Sequence, residues 1–198
     1  MRRALPVVVS ALALVGALTG PATAADPVSS FAKADPARDQ VAAVGYRDAD
    51  RAHWSAQGWT VSPASAADFV NSTYRLSGTS GSRVITITHG FRNVLARTNP
   101  QQQTVYTTLW TGKGLNATVQ SSNLGTGIYV YLDGQLRSCP DARTVINTTT
   151  KTVRQIVPLS CWAATTFKNP RATSLLHSTS EAKDVARDAV AAASVTLR

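Results

Sequence analysis

The 198-residue chain contains a single glutamate, Glu181, and three histidines, His53, His89 and His177. It has two cysteines, and its one methionine is the first residue. Each scarcity excludes a class of chemistry. A structural zinc site draws on four cysteine or histidine ligands in close pairs, and none are spaced that way. A dithiol redox centre needs a C-x-x-C pair, and Cys139 and Cys161 stand too far apart for one. A glycosidase needs two carboxylates across a cleft, and the central region offers only Asp68, Asp133 and Asp141. G-x-S-x-G, H-E-x-x-H, P-loop and G-x-G-x-x-G patterns are all missing. Asp48-x-Asp50 opens like a calcium loop but lacks its glycine and later glutamate. No cofactor or metal is therefore expected.

Long apolar runs are also scarce. The one candidate lies in residues 1–24, where Arg2 and Arg3 precede an apolar stretch and Ala22-Thr23-Ala24 supplies small residues for cleavage. Gly20-Pro21 interrupts the run before it reaches the ~20 residues that a membrane span requires, so it reads as a secretory signal peptide. The expected product is secreted, extracellular or wall-associated, with no membrane anchor. In that setting Cys139 and Cys161 are expected to form a disulfide.

Negative charge is thin as well. The chain carries +9, and losing Arg2 and Arg3 leaves 9 − 2 = +7. Residues 65–170 hold the excess, with ten basic residues against Asp68, Asp133 and Asp141. Such a balance outside a cell suits anionic partners: an acidic polysaccharide, a wall polymer or released nucleic acid. Scattered arginines that merely aid solubility would give the same count, because the ten form no run.

What the sequence has in quantity is strand-like alternation. GIYVYLDGQLRSC, residues 127–139, alternates Ile128, Val130 and Leu132 with Tyr129 and Tyr131, and Asp133-Gly134 supplies a two-residue hairpin loop. RTVIN and TVRQIV form a second hairpin around residues 148–151. In RVITITH, Ile85, Ile87 and His89 share one face. In TVYTTLW, Val105, Thr107 and Leu109 oppose Tyr106 and Trp110. VNSTYRL places Val70, Tyr74 and Leu76 together. Short strands at this spacing, rich in threonine, predict an all-β antiparallel sandwich or partly closed barrel.

The flanks read differently. Residues 25–64 are expected to be an unstructured leader to Lys33 followed by short helices: Asp35-Pro36 running to Val44, about Ala49 to Ala56 carrying Trp54, and one starting at Ser62-Pro63. Residues 65–170 form the β domain. Residues 171–198 are expected to end in a helix on its surface, with Ser178 and Glu181 as a capping box and Ala182, Val185, Ala186, Ala189, Val190 and Ala193 as the apolar stripe.

Two kinds of site remain. Tyr106, Trp110, Tyr129 and Tyr131, with Arg137 and Arg154, would make a sugar-stacking platform if their strand faces are open. Core burial under a second sheet is the commoner arrangement. The main functional reading is a secreted, non-enzymatic binding or structural protein. The enzyme alternative is a small hydrolase using His89 with Asp68, set before a long connection at residues 90–103. A further alternative is a protease inhibitor, presenting Arg137 to Arg143 or that connection.

Overall fold

Alternation along the chain resolves into two antiparallel sheets packed face to face, without barrel closure. The computed structural model describes residues 29–36, 39–79, 81–125, 127–191 and 195–198. The expected signal peptide and the first residues of the leader lie outside these. The smaller sheet is ordered β1-β3-β4-β10-β9, where β1 is Ser29–Ala34, β3 Phe69–Ser77, β4 Val84–Phe91, β9 Arg143–Asn147 and β10 Thr152–Pro158. The larger is ordered β2-β12-β11-β5-β6-β7-β8, with β13 pairing β11. Its strands are β2 Val41–Ala42, β5 Gln102–Thr111, β6 Asn116–Ser122, β7 Ile128–Leu132, β8 Gln135–Arg137, β11 Phe167–Ser178, β12 Lys183–Ala191 and β13 Thr196–Leu197.

The inward faces supply the core. Tyr74, Leu76, Ile85, Ile87 and Val157 of the smaller sheet meet Leu109, Ala117, Val119 and Val130 of the larger. Burial of this apolar area stabilises by about 25 cal/mol per Å² removed from water. The β7–β8 turn is the expected one: Asp133 has φ 51° and Gly134 φ 77°, the signs that a type I′ loop demands. At the β9–β10 turn the Asn147 side-chain Oδ1 accepts from the Thr149 and Thr150 N–H groups at 3.0 and 2.9 Å. Cys139, just after β8, is bonded to Cys161 in the 3₁₀ turn Leu159–Trp162 that follows β10. The bridge ties the edge hairpin of the larger sheet to the smaller sheet.

Two short helices cap one end. Helix α1, Arg51–Ala56, buries Trp54, and α2, Pro63–Ala67, starts at Ser62, whose hydroxyl accepts from the Ser65 N–H. Tyr46, Trp54, Trp59, Ala66 and Ala67 pack on Leu176, Val185 and Ala186 in a second cluster.

Four expectations are corrected. The C-terminal helix is instead strand β12, paired with β11 at eight positions. Its alanine-rich stripe would have buried little area on a surface, whereas pairing satisfies the backbone and turns Val185 and Val190 inward. The Ser178–Glu181 contact does form, Glu181 N–H to Ser178 Oγ, but it closes the β11–β12 turn, where Ala182 has φ 50°. The helix expected from Asp35 to Val44 is replaced by β2 and a turn, since the Ala43 N–H is committed to the Val185 carbonyl of β12. The part of the leader from Ser29 is an edge strand against β3. Val70 faces solvent, because a register shift between Phe69 and Asn71 puts Phe69 inward in its place.

Candidate functional site

The outer face of the larger sheet collects the aromatic residues of β5 and β7. Cross-strand pairing sets them in rows: Thr173, Tyr106, Gln120 and Tyr129 in one, Thr108, Thr118 and Tyr131 in the next. Trp110 sits opposite Asn116 on β6 and Lys168 on β11. Their alternate neighbours Val105, Leu109 and Val130 take the core, so the aromatics lie outside it. Trp110 is 39% exposed and Tyr129 49% exposed, with Tyr106 and Tyr131 half-buried between them. Hydroxyls link the face, Thr108 to Thr118 at 3.3 Å and Thr118 to the Asn116 side-chain Oδ1 at 2.7 Å. Beyond Thr173 the face runs past Leu175 into a depression of about 350 Å³ bounded by Val41, Asp184 and Arg187. Partial burial, with Asp184 nearby, pushes the Tyr106 hydroxyl pKa up, so this phenol stays neutral and able to donate.

The two arginines grouped with these aromatics do not join them. Arg137 stands on edge strand β8 opposite Val130, on the other side of the sheet from Tyr131. Arg154 is on β10 and points out from the smaller sheet, across the sandwich.

His89 is not at a cleft: it is 0% exposed, edge-on to the rings of Phe69 and Tyr74. Its Nδ1 lies 2.7 Å from Ser72 Oγ and its Nε2 2.9 Å from Thr107 Oγ1. The network fixes the tautomer. Gln155 Nε2 donates to the Val105 carbonyl and to Ser121 Oγ, so Gln155 Oε1 faces Thr107 and accepts its single hydroxyl proton at 2.6 Å. Thr107 Oγ1 must then accept from His89 Nε2–H, leaving Nδ1 to accept from Ser72. Burial lowers the imidazole pKa from 6.5 to about 3 and keeps the ring neutral. Both nitrogens are occupied away from water, which leaves the imidazole no reach to a substrate. Asp68 is equally buried, with its carboxylate 3.0 Å from Arg92 Nη1, while Arg92 Nη2 meets Asp48 at 2.6 Å. The acid expected to serve His89 is held by an arginine instead.

The segment between β4 and β5 is not a free loop. Leu95 is in the core, Gln103 Oε1 accepts from its N–H at 2.9 Å, and Gln103 Nε2 donates to the Ala66 carbonyl. Gln101 Oε1 accepts from the Thr179 N–H, and Arg97 donates to the Gly125 and Thr144 carbonyls. Two of its three successive glutamines, Gln101 and Gln103, are thus buried braces within this polar connection. The stretch from Arg137 to Asp141 is largely exposed, beside the bridge.

A carboxylate group was also missed. Oxygens of Asp35, Asp39 and Asp188 lie within 4.8 Å of one another. Burial first, then Asp188, Asp39 and Asp68, push the Asp35 carboxyl up to about 7. Asp188 is held by the Phe69 and Ala189 N–H groups, both at 2.8 Å. Its position inside a strand, on what reads as the polar side of a helix, hid it in the sequence. No protein-family model, curated protein or solved structure matches the chain.

Proposed function

We propose that the protein is a secreted, non-catalytic module that binds an extended extracellular polysaccharide, such as a cell-wall polymer, on the outer face of its larger sheet. The observation that carries this reading is the exposure of Trp110 and Tyr129 on one sheet face together with Tyr106 and Tyr131. Sugar rings have apolar faces that stack on aromatic side chains and hydroxyl rims that hydrogen-bond. The rows alternate accordingly: aromatic rings in line with the Gln120 amide and the Thr108, Thr118 and Thr173 hydroxyls. An exposed apolar face with interleaved polar groups marks an interaction surface rather than a core. The buried, fully hydrogen-bonded His89 favours a binding role over a hydrolytic one.

Co-sedimentation with purified wall polysaccharide tests the reading. Trp110→Ala and Tyr129→Ala are each expected to weaken binding about tenfold, the equivalent of ~1.4 kcal/mol. Both side chains are exposed, so the variants should melt like the wild-type protein. Unchanged retention of the double variant would refute the proposal.

A further inference from the structure

We infer that the protein has a second binding surface, on the outer face of the smaller sheet, that takes the carboxylate groups of an acidic polysaccharide. The inference does not depend on the aromatic face. Arg75, Thr86, Ile156 and Arg143 form one cross-strand row over β3, β4, β10 and β9. Thr73, Thr88, Arg154 and Val145 form the adjacent row. Arg75, Arg143 and Arg154 are all exposed, and three strand spacings put the first two about 14 Å apart. None of the outward positions on these four strands is an aspartate or glutamate.

Two other arginines of the β region are held internally. Arg92 is consumed by Asp48 and Asp68, and Arg97 by two backbone carbonyls. Among the described residues, Arg75, Arg143 and Arg154 enter no ion pair. Three basic residues of the β region that enter no ion pair therefore share one face.

The face is also shaped. A cleft of about 180 Å³ is lined by Arg154, Thr88, Thr150, Thr152, Asn147 and Val145. Gly90 sits opposite Thr152 in the register and adds no side chain there. The lining provides a guanidinium, three hydroxyls and an amide, with no carboxylate to compete. Asn147 Oδ1 is engaged by two backbone N–H groups, which fixes the cleft wall. A guanidinium offers a planar fork that matches a carboxylate at two points; Thr150 and Thr152 share one hydrogen bond at 2.9 Å, which leaves one of their hydroxyl protons, with that of Thr88, as a neutral donor beside it. Nucleic acid fits less well: among the described residues no aromatic side chain stands outward on these four strands to stack on bases. Charge complementarity on a face without stacking aromatics thus favours an acidic polysaccharide, and a uronate-type polymer supplies the carboxylates.

Because the two sheets face opposite ways, occupancy of both surfaces would bridge two polymer chains. Polygalacturonate is the probe, with neutral dextran and poly(dT) as comparison arms, each titrated by calorimetry at low and at physiological salt. The wild-type protein should bind polygalacturonate at low salt, at least tenfold more weakly at physiological salt, and neutral dextran no better through this face. Arg154→Gln should reduce that binding severalfold. Arg75→Gln/Arg143→Gln/Arg154→Gln should abolish it, with the melting temperature unchanged because all three side chains are exposed. Trp110→Ala/Tyr129→Ala should leave it intact, which separates this surface from the aromatic one. Full polygalacturonate binding by the triple variant, no binding at low salt, or tighter capture of poly(dT) would each overturn the inference.

Discussion

His89 Nε2 on β4 lies 2.9 Å from Thr107 Oγ1 on β5, so a histidine of one sheet and a threonine of the other are joined by a hydrogen bond through the middle of the sandwich. Ser72, Gln155 and Ser121 complete the network. Every member is partnered, and that is the condition under which buried polar groups fix a unique packing instead of weakening it.

Removing one member should therefore cost more than its hydrogen bonds alone suggest. Thr107→Val keeps the shape but leaves His89 Nε2–H and Gln155 Oε1 unsatisfied. The expected loss is about 1–3 kcal/mol for each stranded group. Urea denaturation measures it, and a valine variant as stable as the wild type would contradict this account of the network.

The same histidine predicts an acid-side loss of stability. Its folded pKa is about 3, below the ordinary 6.5 that the unfolded chain regains. Between those values the unfolded chain binds a proton that the folded one excludes. Stability is fully present above about 6.5 and falls as pH drops toward 3, by an amount on the order of 5 kcal/mol if no other group intervenes. His89→Gln should flatten that part of the profile. Equal slopes in the two proteins would contradict the burial argument.

Asp35 predicts the opposite slope. Its folded pKa, about 7, stands above the ordinary 3.8, so the folded chain holds the extra proton. That contribution is present below 3.8 and is lost as pH rises through 7. Asp35→Asn, which mimics the protonated acid, should raise the melting temperature at pH 8 relative to the wild type and change it little at pH 4. A variant less stable than wild type at pH 8 would show that the carboxylate is wanted there.

The Cys139–Cys161 bridge closes a loop of 22 residues. Its reduction should add two mass units to the folded product and lower stability by roughly 3 kcal/mol on the chain-entropy account. Two free thiols in the unreduced protein would contradict it.

Local chemistry made much of this legible in the sequence. Asp133-Gly134 requires positive φ at both positions and obtains it. The Ile85, Ile87 and His89 alternation allows one inward face, and the cysteines had only each other. Illegible features were those decided by distant partners. The Lys183–Ala191 segment has helical periodicity, yet it becomes a strand because β11 offers a free edge; an alanine-rich pattern suits either state once the backbone is paired. Val70 lost its place to Phe69 through a one-residue register shift that no alternation rule contains. Strand faces were correct for Tyr106, Trp110, Tyr129 and Tyr131, but which face the other sheet would cover is a tertiary fact. Arg137 and Arg154 were grouped with them by charge alone, and the topology separates them.

The openness of the aromatic face is the central claim, and Trp110 reports on it directly. The other three tryptophans, Trp54, Trp59 and Trp162, are buried, whereas Trp110 is exposed. Acrylamide quenching of the intrinsic fluorescence should therefore act mainly on Trp110. Wall polysaccharide should protect it saturably, and Trp110→Phe should remove both the quenching and the protection. Trp110 that remains fully quenchable at saturating polysaccharide would contradict the account.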